Sequence, residues 1–196
     1  MTPTAVRQLA VMTVFDPAAA ARRLLDLQLD RDVLWQLLAL VVVLDTLLFG
    51  ISNQGLAMPN PYSAIFESPA GYGVLVGIIL VVSVFAIFRV GRMMGGRGSF
   101  FEVMTVMIWL QYMSLAAQII LLALALTVPV LFSLFSLAAT LIGFLILLHF
   151  VKTAHKLDGL LHAAGVVLAS VFAVSASLLI LLSLAGGQLT GASVHV

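Results

Sequence analysis

Lysine and arginine fall in every second gap between the long apolar runs of this chain, and that alternation restricts its fold more than any other feature. Arg7, Arg22, Arg23 and Arg31 precede the first run. Arg89, Arg92 and Arg97 stand between the second and third, and Lys152 and Lys156 between the fourth and fifth. The remaining gaps and the C-terminal tail have no basic residue. Positive side chains resist translocation, so loops that carry them stay in the cytoplasm. The pattern therefore predicts five spans, an N-terminus in the cytoplasm and a C-terminus outside it.

Composition agrees. Residues are 63% hydrophobic and 9% charged, whereas a soluble domain carries roughly 25% charged residues. A water-exposed surface cannot be built from this chain. Net charge is only +1 and is polarised across the bilayer, which argues against a nucleic-acid partner. Cysteine is absent, which removes thiol catalysis, disulfides and thiolate metal sites.

The spacing predicts an all-α, polytopic membrane protein in which an N-terminal amphipathic interfacial helix precedes five transmembrane helices. Residues 1–32 form the cytoplasmic segment, 33–185 the five-helix domain and 186–196 a short external tail. The spans are expected at about 33–51, 71–90, 103–126, 129–150 and 160–185. Leu9 to Phe15 is apolar but ends at Asp16-Pro17, at the short limit for the core of a signal peptide, so cleavage is not expected. Asp16-Pro17 reads instead as a helix N-cap followed by its first residue. The helix it opens should run to about Leu29, with Ala18, Ala21, Leu25 and Leu29 on one side. Arg22 and Arg23 are then candidates for lipid headgroup contact. A helix packed under the bundle is the alternative.

Between spans one and two, Tyr62, Phe66 and Tyr72 suit the outer headgroup region. Gly91 to Gly98, GRMMGGRG, lacks the spacing of a phosphate-binding loop. It reads as a flexible basic turn, with Arg92 and Arg97 against anionic headgroups. A turn at Thr127-Val128-Pro129 divides the long apolar stretch from Val103 to Val151, because proline disrupts a helix interior but suits a first turn. Gly73 and Gly77 form a GxxxG pair, and Gly165, Ala169, Ala173 and Ser177 recur every four residues. Both are candidate helix-packing faces.

Asp45 is the one carboxylate inside a span. Gln111, Ser114 and Gln118 share a face of span three and are its expected partners, giving a candidate intramembrane polar cluster. Hydrogen bonding between helices is the plain reading, and a polar path for an ion or proton is the sharper one. His149 and His155 do not share a helix face. With Lys152 and Lys156 beside them, they read as interface histidines and not as metal or haem ligands. No GxSxG elbow, HExxH or pair of intramembrane aspartates is present. No catalytic residue, metal or cofactor is expected.

Taken together, FDPAAAARRLLDLQLDRDVLW, GGRGSFFEV, WLQY, the proline at the span three–four hairpin and HFVKTAHKLDG resemble the bacterial branch of the Yip1 family. Trp109, Gln111, Pro129, Phe150 and His155 carry the resemblance, which covers nearly the whole chain. It implies five spans in a bacterial inner membrane and association with other membrane proteins or with itself. Eukaryotic members act with small GTPases through a long cytosolic N-terminal region. No such region precedes the spans here, which puts GTPase binding in doubt. The expectation is a non-enzymatic scaffold or membrane-organising protein whose partners are lipids, itself or other membrane proteins. A small transporter or channel using Asp45 with Gln111 and Gln118 is the first alternative, and an accessory subunit of a larger inner-membrane complex the second.

Overall fold

A computed structural model describes residues 2–55 and 68–184, and these fold into helices and short connections. The helices are α1 Pro3–Phe15, α2 Pro17–Leu25, α3 Arg31–Gly55, α4 Pro69–Met93, α5 Phe100–Thr127, α6 Pro129–His155 and α7 Leu160–Leu184. Five of them, α3 to α7, are long and apolar enough to cross a membrane. The architecture is all-α, as the alternation of charge and apolar runs requires. The inter-span segment with Tyr62 and Phe66, and the tail from Gln188 to Val196, lie outside the described residues.

Local chemistry sets each boundary. Asp16 closes α1 by donating its amide to the Met12 carbonyl. It then opens α2 by accepting from the Ala19 amide at 3.0 Å. Ser99 and Glu102 form a reciprocal capping box at the start of α5, which satisfies two amides that would otherwise be orphaned. Val128 breaks α5 from α6 in a non-helical conformation, φ −139° and ψ 79°, since the helical region is disfavoured for the residue before a proline. Lys156 ends α6 in the left-handed region at φ 56°.

The helices pack antiparallel in chain order. Gly50 faces Pro69, Thr46 faces Gly73 and Val42 faces Gly77, so the α3 partner falls in number as the α4 residue rises, which fixes α3 and α4 as antiparallel. Asp45 reaches Gln118 and Leu37 reaches Tyr112, so α3 and α5 run parallel. Around the bundle, α4 packs on α3, α5 and α7, and α6 packs on α5 and α7. Arg31, Arg92, Arg97 and Lys156 therefore lie at one end, called here the basic end.

The N-terminal helices are part of that end. α2 packs against α5 and α6 through Ala20, Ala21 and Leu24, while Arg22 and Arg23 point outward. It stops at Leu25, short of the expected Leu29, because the chain turns through Leu27 and Gln28. The buried face is accordingly rotated from the one anticipated. α1, which the sequence reading did not resolve as a helix, buries Leu9 and Thr13. The Trp109 indole donates to the Thr13 hydroxyl at 2.8 Å, and Thr13 donates in turn to the Leu9 carbonyl. Trp109→Phe removes that anchor, and a bond of this kind between membrane helices is worth roughly 0.6–1.7 kcal/mol. Protease sensitivity of residues 1–15 in mild detergent should rise several-fold, with the five-helix core intact by circular dichroism.

Candidate functional site

Two polar arrangements stand out against an apolar background, one within the bundle and one at its basic end. The first is centred on Asp45. Its side chain is 4% exposed and accepts two hydrogen bonds. The Tyr72 hydroxyl donates at 3.0 Å and the Gln118 amide at 3.3 Å. Tyr72 is held by its ring, which stacks on Phe49 with centroids 3.8 Å apart and an interplanar angle of 6°. Helices α3, α4 and α5 are thus joined through one carboxylate. In hydrocarbon no water competes for these groups, so each bond holds its helices in a particular register.

The structure brings Gln118 to Asp45 but leaves Gln111 and Ser114 apart from it. Both are half-buried, and neither hydrogen-bonds to the carboxylate. Tyr72, read from sequence as an outer headgroup residue, instead turns inward as the strongest partner. Tyr112, two turns toward the basic end, ties α5 to α3 independently through the Leu37 carbonyl at 3.0 Å. A shared helix face was legible in the sequence. Which residue on a neighbouring helix stands at the same depth was not.

The second arrangement surrounds His155, the last residue of α6. Its side chain is 0% exposed, and neither ring nitrogen has a hydrogen-bond partner. The Ile87 backbone faces the ring without hydrogen-bond geometry, and Glu102 and Arg92 are the charges within electrostatic reach. Three glycines of the α4–α5 segment lie directly on the imidazole. A Cβ on Gly91 would stand 2.4 Å from Nε2, one on Gly96 3.0 Å from Nδ1 and one on Gly98 2.8 Å from Nδ1. The Arg97 amide also donates to the His155 carbonyl at 2.9 Å.

This corrects two expectations. GRMMGGRG is a close-packed wrap and not a loose turn, because glycine alone lets the backbone approach a buried ring. His155 is a core residue and not an interface one. Gly91, Gly96 and Gly98 were visible as a glycine-rich run, but the ring they enclose lies more than fifty residues away in sequence. Arg92 and Arg97, on the same segment, remain exposed.

The candidate packing faces lie in different surroundings. Gly73 is buried against Thr46, whose Oγ1 would be 2.5 Å from an added Cβ, and Gly77 faces Val42. Both border an apolar crevice of about 700 Å³ between α3 and α4. Gly165 lies against Met94, whereas Ala169, Ala173 and Ser177 are exposed. Among the described residues no three His, Asp or Glu side chains gather as a metal site would require.

No curated protein and no solved structure matches this chain. A family model described as the Yip1 domain matches residues 11–182, from the middle of α1 to the end of α7. That match takes in both polar arrangements and all five apolar helices. The chain belongs to the Yip1 domain family.

Proposed function

We propose that this protein is a non-enzymatic scaffold that organises the inner membrane of a bacterium by helix packing with itself or with other membrane proteins. Its basic end faces the cytoplasm, where Arg22, Arg23, Arg92 and Arg97 contact anionic headgroups. The observation that carries the reading is the bare far half of α6. α6 buries no residue from Pro129 to Leu145, although it is one of the most central helices at its other end. Two sets of polar contacts inside the bundle join helices: Asp45 with Tyr72 and Gln118, and Tyr112 with Leu37.

Native mass spectrometry from mild detergent tests this. Self-association or a co-purifying membrane partner is the expected result, and a strictly monomeric, partnerless protein would overturn it. A second reading, a small transporter or channel, draws support from Gln118, which bonds Asp45 and also lines a crevice open to the bundle surface. It requires Asp45→Asn to abolish flux in proteoliposomes. In the scaffold reading the same variant leaves assembly intact, because an asparagine oxygen still accepts from Tyr72.

A further inference from the structure

Burial is uneven along the bundle. Toward the basic end, Ile146, Leu148, Phe150 and Val151 of α6 pack with Ala163, Val166 and Val167 of α7 in one core. Toward the far end nothing is buried in α5 beyond Leu115, nor in the described part of α7 beyond Ser170. Between the far halves of α5 and α6 lies a crevice of about 400 Å³. Its lining sets small or polar residues, Ser114, Ala117 and Gln118 on α5 and Ser136, Thr140 and Gly143 on α6, among the larger apolar Leu110, Leu121, Phe144 and Leu147. A Cβ on Gly143 would meet nothing within 4 Å, so the groove is open along α6.

The polar groups of that lining are costly against lipid. The Ser114 and Ser136 hydroxyls bond to no other described residue, and Gln118 spends its amide on Asp45 but not its carbonyl oxygen. Hydroxyls and amides on a span are satisfied by other helices, since acyl chains offer neither donor nor acceptor. The groove therefore calls for a helix with small side chains and a hydroxyl at the matching depth.

This chain carries one. Ala169, Ala173 and Ser177 form an exposed line on α7. Ser177 lies about 26 Å of helix rise from the basic end of α7, counted at 1.5 Å per residue. On the same count Gln118 lies about 27 Å along α5, and Thr140 and Ser136 about 22 and 28 Å back along α6. Ridge and groove thus present their polar groups at one level when two copies stand side by side in the same orientation. Small side chains on both surfaces permit the close backbone approach that binds helices in lipid.

We infer that the α5–α6 crevice receives the Ala169–Ala173–Ser177 face of α7 from a second copy of this chain. The inference rests on the scaffold reading and specifies its contact. Groove and ridge are different surfaces, so the contact is heterologous, and each copy offers one of each. Repetition closes a ring or extends an array, depending on the rotation between copies.

The absence of cysteine makes the test direct. Full-length Ser136→Cys and Ser177→Cys proteins, differently tagged, are co-expressed in one membrane and oxidised. The mixed disulfide dimer is expected in several-fold excess over the dimer of either protein expressed alone. Thr140→Leu in the Ser136→Cys protein narrows the groove and should cut that yield several-fold. Dimers formed equally well by Ser136→Cys alone would show a two-fold symmetric contact and overturn the inference. It is also overturned if the mixture gives no disulfide while amine cross-linking through Lys152 and Lys156 still captures oligomers, and the scaffold reading then stands. Failure of both cross-links counts against self-association altogether.

Discussion

Gly91→Ala should destabilise the protein strongly. The new Cβ would stand 2.4 Å from His155 Nε2 and 2.5 Å from Cε1, closer than real side-chain contacts approach. The ring cannot swing away, because Gly96 and Gly98 hold its other edge and its side chain is fully buried. Overpacking of a filled core typically costs about 1–3 kcal/mol, and this site should lie at the upper end. Gly91→Ala is expected to lower the thermal transition in detergent, and Gly143→Ala, which meets open space, should not. His155→Ala vacates the volume that the added methyl claims. The double variant Gly91→Ala/His155→Ala should therefore be no less stable than His155→Ala alone. If the two losses simply add, the ring and the glycine do not form the packed unit described here.

Asp45→Leu is the second large effect, and its size comes from what it leaves behind. The leucine fills similar space, but the Tyr72 hydroxyl and the Gln118 amide both lose their acceptor. A buried polar group stripped of its partner costs roughly 1–3 kcal/mol. Asp45→Asn keeps an acceptor oxygen and should cost much less. Adding Tyr72→Phe to Asp45→Leu should recover part of the loss, because no hydroxyl then remains to satisfy. Thermal unfolding in detergent measures all three, and the non-additivity of the pair gives the coupling directly. Equal losses for Asp45→Leu and Asp45→Asn would mean that the carboxylate's charge matters and its hydrogen bonds do not. That outcome would favour the transporter reading over the scaffold.

Much of the fold is legible one residue at a time. Asp16-Pro17, Ser99 with Glu102, and Val128-Pro129 each fix a helix boundary through interactions within a few residues, so the chain states them locally. α2 shows where that stops. Its start follows from Asp16 alone, yet its buried face depends on the ends of α5 and α6, and Ala20 and Leu24 replace the side predicted from periodicity. α1 was missed for the same reason. A thirteen-residue helix gains its place from Trp109, almost a hundred positions away.

The polar cluster divides in the same manner. That an aspartate within a span must find hydrogen bonds is a property of hydrocarbon, and the residues on the facing side of span three could be named from spacing. Gln118 met that expectation of contact, whereas Gln111 and Ser114 sit at other depths. Tyr72 could not be found, since its ring orientation is set by stacking on Phe49.

Sequence alone determined that this chain is a five-helix membrane bundle, because the cost of moving charge and unpaired backbone into lipid is paid residue by residue and depends on no partner. Only the tertiary structure decided that three glycines enclose His155, that Tyr72 and Gln118 share Asp45, and that the far half of α6 and α7 from Val171 to Ile180 are bare. Those features arise where helices distant in sequence meet at one depth and one rotation. Apolar side chains that are interchangeable toward lipid leave no record of either.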